Sequence, residues 1–122
     1  MREIVTHKLN GLNDVLKVTA VDEPGPGGAN HVYDITPTVG NAKGLRIEFQ
    51  KGPLGDTGGV PNGLSNESLL AIVTDRLEGF QSGQFACEDN EIALGHVQDA
   101  MYWLQKRTRE RMSRGVEGTL SK

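Results

Sequence analysis

The sequence is poor in several residue types that small proteins use to build a scaffold or a site. It has one cysteine, which excludes a disulfide framework and a zinc site made of cysteines. Its three histidines lie far apart, without the H-E-x-x-H spacing of zinc proteases. No apolar run approaches the roughly 18 residues that a membrane span needs, and the N-terminal segment lacks a signal-peptide core. We therefore expect a soluble, cytoplasmic protein without a metal site or a cofactor.

Aromatic residues are also few, with one Trp, two Tyr and three Phe in 122 residues. A chain of this length corresponds to one domain with a modest core. We therefore expect a single domain over residues 1–122, and we expect copies of it to associate through its helical part.

Charge is distributed unevenly along the chain. Residues 101–122 carry six Lys and Arg against two Glu, whereas residues 1–100 carry seven basic against fourteen acidic residues. The C-terminal stretch is thus net basic, and the rest is net acidic. An acidic body repels a long polyanion but leaves a small anion free to bind at the basic end.

The first 50 residues alternate short β-prone runs with turn residues. Four runs rich in β-branched or alternating apolar residues predict strands, at residues 3–7, 15–21, 31–36 and 45–50. In the last run Leu45, Ile47 and Phe49 alternate with polar residues, so we expect them to face a core. The pair Asn10 and Gly11 suits a tight hairpin turn. These features predict an antiparallel meander with one covered face.

A connector rich in Gly and Pro, residues 51–64, leads from the strands to a helical part. Ser65 or Asn66 caps the first predicted helix and Gly83 ends it. The second starts at residues 87–90 with an acidic first turn and ends near Gly115. Apolar residues recur at helical spacing: Leu69, Leu70, Val73, Leu77 and Phe80 in the first helix, and Ala93, Val97, Ala100, Met101, Leu104 and Thr108 in the second.

The short link between these helices predicts an antiparallel helical hairpin over residues 65–114, followed by a tail at 115–122. The predicted fold class is therefore α+β. An N-terminal antiparallel β-sheet meander, residues 1–50, precedes a C-terminal antiparallel two-helix hairpin.

Three arginines near the end of the second helix share one face. Arg107, Arg111 and Arg114 have i, i+4, i+7 spacing, so neighbours on this face lie about 5.4 Å apart. A guanidinium group binds phosphate through a planar fork of donors, and two forks one turn apart fit a pyrophosphate or a phosphodiester. The alternative is a solvated helix end whose positive charge complements the helix dipole.

Phe80 and Asn90 flank the connection between the helices. An aromatic ring there can stack on a purine, and an amide can hydrogen-bond to it. The alternative is that Phe80 and Phe85 close the end of the hairpin core, because large apolar side chains are mostly buried.

Motifs for catalysis are lacking. The connector contains neither G-x-x-x-x-G-K-[ST] nor G-x-G-x-x-G between a strand and a helix, although it suits a mobile lid or a backbone nest. Cys87 has no Cys–His signature, and Asp75 and Glu78 flank Arg76 as in surface ion pairs. No pattern supplies a nucleophile, its base and an orienting group together, so we expect a binding protein and no catalytic residue.

Residues 45–119 resemble a known family. The runs FQKGP from Phe49, DRL from Asp75, FQ-x-G-x-FAC from Phe80 and RTRERMSRGVEGT from Arg107 are similar to the first family of phage Thoeris anti-defence proteins. Members share a C-terminal helical hairpin with the phage anti-CBASS cyclic-nucleotide sponges. The resemblance implies a nucleotide sponge in the cytoplasm of the infected bacterial host. Such a protein sequesters, without cleavage, a glycosidically cyclised ADP-ribose made by bacterial TIR proteins.

The resemblance also implies roles for residues and partners. Phe80 would stack on adenine, Asn90 would contact the base region, and Arg107 and Arg111 would hold the base face and the pyrophosphate. The sheet side of the pocket would be Gln50, Lys51 and Gly52, and a second site for cyclic di- or trinucleotides would use Arg109, Arg114 and Thr119. The family forms homodimers with two pockets between the sheet of one chain and hairpin elements, and some members form homohexamers.

Two other functions remain open on sequence. One is an enzyme that degrades the same nucleotide, for which no general base stands near the arginines. The other is a small adaptor that binds nucleic acid through its basic end, which the acidic body disfavours.

Overall fold

The computed structural model describes residues 1–115, and their contacts divide them into two compact units. The sheet unit consists of Met1–Lys51 and Pro61–Leu64. The hairpin unit consists of Gly52–Val60 and the described residues from Ser65 onward. The single-domain organisation stays a prediction, and the two units are described separately.

The sheet unit is a four-stranded antiparallel meander. Its strands are β1 (Arg2–Ile4), β2 (Leu16–Ala20), β3 (Val32–Pro37) and β4 (Leu45–Glu48), paired in the order β1-β2-β3-β4. The register places Val18 opposite both Ile4 and Ile35, so aliphatic side chains form a row across the sheet. Ala20 and Val32 are its buried apolar residues. The predicted meander is confirmed.

Two local predictions for this unit are wrong. Asn10 and Gly11 do not form a hairpin turn, because the Asn10 side chain instead caps the short helix α1 (Gly11–Asp14) by accepting from the Asn13 N–H at 3.2 Å. Leu45 does not face a core, since it is 61% exposed at the start of the edge strand β4. Alternation predicts which face a residue lies on, but whether anything covers that face depends on the tertiary structure.

A polar clamp joins the two ends of the Gly- and Pro-rich connector. Asn62 accepts from the Lys51 N–H at 2.8 Å, and its own N–H donates to Gln50 Oε1 at 2.8 Å. Beside the clamp, Leu64 forms a parallel bridge with Phe49. The segment between is therefore a closed loop with joined ends, and it contains one 3-10 turn (Leu54–Thr57).

The hairpin unit contains helices α2 (Asn66–Gln81) and α3 (Glu88–Ser113). Ser65 caps α2 through reciprocal hydrogen bonds with Ser68, and Cys87 occupies the N-cap of α3. Arg114 follows α3 as its C-cap, and Gly115 then adopts a φ of +72°, as expected of a glycine that ends a helix. The predicted helical hairpin is therefore confirmed. No helix within residues 1–115 is long and apolar enough to cross a membrane.

Packing between the helices leaves much apolar surface uncovered. Leu70 and Leu77 of α2 and Val97 and Leu104 of α3 are half-buried, and no residue of α2 is fully buried. Larger apolar side chains outside this seam remain exposed: Ile72, Val73, Phe80, Phe85, Ile92, Trp103 and Met112. The hairpin thus presents an apolar surface beyond what its own seam covers.

Candidate functional site

The arginine face lies over the last turns of α3. Arg107 is exposed, whereas Arg111 is only 7% exposed, an unusual degree of burial for a guanidinium group. Arg114 is the C-cap of the helix and is exposed. The predicted face therefore contains one exposed and one buried arginine one turn apart. That arrangement suits a ligand held partly out of water, where charge-assisted hydrogen bonds are strong.

Aromatic and charged side chains surround the arginine face on α3. Trp103, one turn before Arg107, is 63% exposed, and the Lys106 ammonium lies 5.5 Å from its ring centroid. Lys106 also donates to Glu110 at 2.6 Å. That hydrogen bond and the accompanying ion pair lower the pKa of Glu110 and raise that of Lys106. The charge of Lys106 is thus largely compensated by Glu110, close to the arginines.

Phe80 lies at the other end of the hairpin, in the last turn of α2. Its side chain is 44% exposed and Phe85 is 69% exposed, so neither closes the core, and that alternative is wrong. The guanidinium carbon of Arg76 lies 5.8 Å from the Phe80 ring centroid. Asn90 is half-buried in the first turn of α3, where its backbone N–H donates to Cys87 Sγ at 3.5 Å.

One hairpin does not bring these two groups together. An α-helix rises about 1.5 Å per residue, so Asn90 and Arg107 on the continuous helix α3 are separated by about 26 Å. Phe80 lies near the Asn90 end, because α2 and α3 are antiparallel and joined by a short link. A pocket that contains both groups therefore needs more than one hairpin.

The sheet-side candidates belong to the connector clamp. The side chain of Gln50 and the backbone N–H of Lys51 are both hydrogen-bonded to Asn62. Gly52 has a φ of +75°, a conformation that strains other residues. These groups hold the base of the loop in place, and whether they also contact a ligand stays a prediction.

The second-site candidates lie near an open groove at the C-terminal end of α3. Tyr102, Arg109 and Ser113 line this groove of about 350 Å³, together with Lys106 and Glu110. Arg114 is exposed close by in sequence, and Thr119 lies outside the described residues. Arg109 and its neighbours could hold a phosphate and stack a base, but their role stays a prediction.

Two residues of the hairpin and connector were missed by the sequence interpretation. The sequence predicts a surface ion pair for Arg76, although its i, i+4 spacing to Phe80 is also the spacing of a ring contact. Asn62 gave no usable signal, since its partners follow from the path of the loop. Cys87 is exposed as a helix cap. Within residues 1–115, no group of three or more His, Cys, Asp and Glu side chains could hold a metal ion.

Comparison with known families decides the classification. The Acb2/Tad1 hairpin domain matches residues 41–109, a range that runs from just before β4 through the connector and α2 into α3. The chain belongs to the Acb2/Tad1 hairpin family. The resemblance seen in the sequence is thereby confirmed for the part of the chain that holds Phe80, Asn90 and Arg107.

A curated relative agrees with this family. The protein called Thoeris anti-defense 1, from Bacillus phage SBSphiJ7, is 46% identical over 76 residues. The match covers 62% of this chain and 52% of the relative, so the chain spans about half the length of the relative.

Proposed function

We propose that this chain is a phage anti-defence protein that acts inside the infected host by sequestering a cyclic ADP-ribose-type signal without cleaving it. The family membership and the similarity to a protein named for Thoeris anti-defence support the anti-defence role. The observation that carries the nucleotide assignment is the paired arginine face of α3, with Arg107 exposed and Arg111 buried one turn away. Two guanidinium groups at this spacing match the two phosphates of a pyrophosphate.

Sequestration requires tight binding at low ligand concentration, and the proposed contacts are of the right kind. Each tenfold gain in affinity corresponds to about 1.4 kcal/mol. A base stacked on an aromatic ring contributes about 1–3 kcal/mol. Phe80 offers such a ring, because it is 44% exposed. Stacking and two charge-assisted phosphate contacts together account for a large part of the affinity that a sponge needs.

The proposed pocket is shared between two copies of the chain. Phe80 and Asn90 lie at one end of the hairpin and Arg107 and Arg111 at the other, about 26 Å away along α3. A two-fold, antiparallel pairing of hairpins would set the Phe80 end of one copy beside the arginine end of its partner. The same symmetry would create two equal pockets.

An exposed apolar stripe supports this pairing. One side of the hairpin has a groove between α2 and α3, which is lined among others by Ala71, Asp75 and Gln98. The exposed apolar residues lie on the flanks of the two helices opposite this groove: Val73 and Phe80 on α2, and Ala100 and Trp103 on α3. Both stripes therefore share one face of the hairpin. A second copy that covers this face would remove apolar surface from water, which is favourable by roughly 25 cal/mol per Å².

Ligand recovery tests the proposal and separates it from degradation. The protein is incubated with a several-fold excess of glycosidically cyclised ADP-ribose, separated from unbound nucleotide and heat-denatured, and both the unbound fraction and the supernatant are chromatographed. A sponge releases intact nucleotide in a fixed ratio to protein. Degraded nucleotide in the unbound fraction beyond one equivalent per site would show an enzyme, whereas intact nucleotide found only in the unbound fraction would show that this signal is not the ligand.

A panel of cyclic di- and trinucleotides extends the test to the proposed second ligand class. A ligand that binds only the folded chain raises its melting temperature by mass action. Arg109→Ala should remove the shift from a cyclic trinucleotide and leave that from cyclic ADP-ribose unchanged. If Arg109→Ala reduced the melting-temperature shifts from both ligands equally, the two ligands would share one site.

A further inference from the structure

Arg76 and Phe80 form a defined pair on the surface of α2. They are four residues apart on one helix face, and the Arg76 guanidinium carbon lies 5.8 Å from the Phe80 ring centroid, within the range of a cation–π contact. The Phe80 side chain remains 44% exposed despite this cover. Arg76 therefore occupies one side of the ring while much of the ring stays accessible.

A surface phenylalanine at the end of a helix is otherwise free to change rotamer, and a free ring loses entropy when a base stacks on it. A guanidinium over one face restricts the ring before any ligand arrives. It also withdraws charge from the ring, which favours stacking of an electron-rich purine on the opposite face. The Phe80 ring is thus held in one orientation with one side available.

We propose that Arg76 is a positioning residue of the nucleotide site, which acts by holding the Phe80 ring in its base-stacking orientation. The proposal rests on the proposed function, because it assigns Phe80 to adenine. It predicts that the contribution of Arg76 to affinity depends on the Phe80 ring, so that Arg76 strengthens binding of a purine nucleotide only while Phe80 is present. A direct contact between Arg76 and a ligand phosphate would be independent of the ring.

A double-mutant cycle on the full-length chain separates these possibilities. Dissociation constants for glycosidically cyclised ADP-ribose are measured for the parent, Arg76→Gln, Phe80→Leu and the double variant. We expect Arg76→Gln to weaken binding about 3- to 10-fold and Phe80→Leu to weaken it more. The double variant should be no weaker than Phe80→Leu alone. Arg76→Lys should recover much of the loss, because an ammonium also makes a cation–π contact.

Inorganic pyrophosphate serves as a probe without a base. Its binding should be the same for the parent and Arg76→Gln, since no base stacks on the ring. Additive losses in the cycle, or weaker pyrophosphate binding by Arg76→Gln, would overturn the proposal in favour of a direct phosphate contact. No effect of Arg76→Gln on the cyclic nucleotide would overturn it as well.

Circular dichroism and thermal melting check that each variant folds. Arg76 and Phe80 are both exposed, so the folded hairpin should tolerate the changes. If the parent itself binds no cyclic ADP-ribose, it is the proposed function that fails. If the parent binds but the cycle is additive, only the role of Arg76 fails.

Discussion

At the scale of single residues, two arginines that are equivalent in the sequence pattern of α3 differ in burial. Arg107 and Arg111 occupy equivalent positions on successive turns of α3, yet the first is exposed and the second is only 7% exposed. A buried guanidinium group contributes to the fold as well as to a ligand site, because its donors must be satisfied inside the protein. The two positions should therefore respond differently to the same substitution.

Replacing either arginine with alanine should abolish retention of cyclic ADP-ribose, with different costs to the fold. Arg107→Ala should leave the melting temperature near that of the parent, since surface substitutions usually change stability by less than about 0.5 kcal/mol. Arg111→Ala should also lower the free energy of unfolding by about 1–3 kcal/mol. Nucleotide retention and urea unfolding measure the two effects. Undiminished binding by both variants would show that the arginine face is not the site.

Trp103 offers a direct optical readout of the same region. It is the single tryptophan of the chain, 63% exposed and one turn from Arg107. We expect emission typical of a solvated indole in the dilute chain, and a change in intensity or wavelength when cyclic ADP-ribose binds. Arg107→Ala should abolish this change at the same ligand concentration. An emission spectrum insensitive to saturating ligand would place the nucleotide away from this turn.

At the scale of elements, the space around each glycine decides whether it can be replaced by a residue with a side chain. A Cβ on Gly63 would meet the backbone of Phe49 and would lie 2.6 Å from Gln50 N, where the connector returns to the sheet. Gly95, within α3, has nothing within 4 Å of the same added atom. One glycine is required by packing, and the other only lowers helix propensity.

Alanine at these two positions should therefore have opposite effects. Gly63→Ala should destabilise the chain by more than about 1 kcal/mol, because rigid backbone must move to admit the methyl group. Gly95→Ala should stabilise it by up to about 1 kcal/mol through helix propensity. Urea denaturation of both variants measures the difference. A neutral Gly63→Ala would mean that the loop base is not closed as described.

The sheet should lose stability in acid. The two-pronged hydrogen bond from Arg46 and its positive charge hold the pKa of Asp34 below its usual value. Desolvation raises the pKa of Asp22, but the hydrogen bonds that its carboxylate accepts, among them those from the backbone N–H groups of His31 and Val32 and from the Asn30 side chain, together outweigh it, so the net shift is again downward. A carboxylate with a depressed pKa in the folded state stabilises that state above its unfolded pKa of about 3.9.

We therefore expect the urea midpoint to be steady near neutral pH and to fall as the pH drops below about 4 and passes through the depressed folded pKa values. Asp34→Asn and Asp22→Asn should each flatten this dependence, because the amide does not titrate. Asp99→Asn, on α3, is the matched control and should retain the steeper profile. If the urea midpoint depended on pH in the same way in all three variants, Asp34 and Asp22 would not be the source of the loss of stability in acid.

A feature of the fold could be predicted when the residues that determine it are close together in the sequence. The strand runs, the meander order and both hairpin helices follow from local patterns, such as the N-cap at Ser65 and the glycine stop at Gly115. The helix at Gly11–Asp14 was missed, because one Asn-Gly pair is compatible with both a turn and a cap. The clamp at Asn62 was missed because its partners are 11 and 12 residues away, a separation that no short motif encodes.

At the scale of the whole molecule, the apolar stripe of the hairpin supports the proposed self-association. Val73 is 43% exposed in the stripe on α2, and Trp103 is 63% exposed in the stripe on α3. A small chain with few fully buried residues gains stability when copies cover such surfaces. The same pairing would complete the proposed nucleotide pocket from two chains.

A charge placed in this stripe should break both assembly and binding. Val73→Asp should shift the chain toward monomer in light scattering and should weaken cyclic ADP-ribose binding strongly. Ala71→Asp, on the same helix but in the groove on the opposite face, should leave both unchanged. A Val73→Asp chain that is monomeric yet binds as well as the parent would contradict a pocket shared between copies.

The sequence by itself determined the α+β class, the order of the four strands and the two hairpin helices, and the family, because strand alternation, helix caps and short motifs are local. It also placed Arg107 and Arg111 on one face, since helical spacing fixes which residues share a face. Phe80 and Asn90 were candidates because they flank the link between the helices. Only the tertiary structure decided that Phe80 is exposed and that Arg111 is buried. Burial depends on what packs against an element, and a periodic pattern does not contain that information.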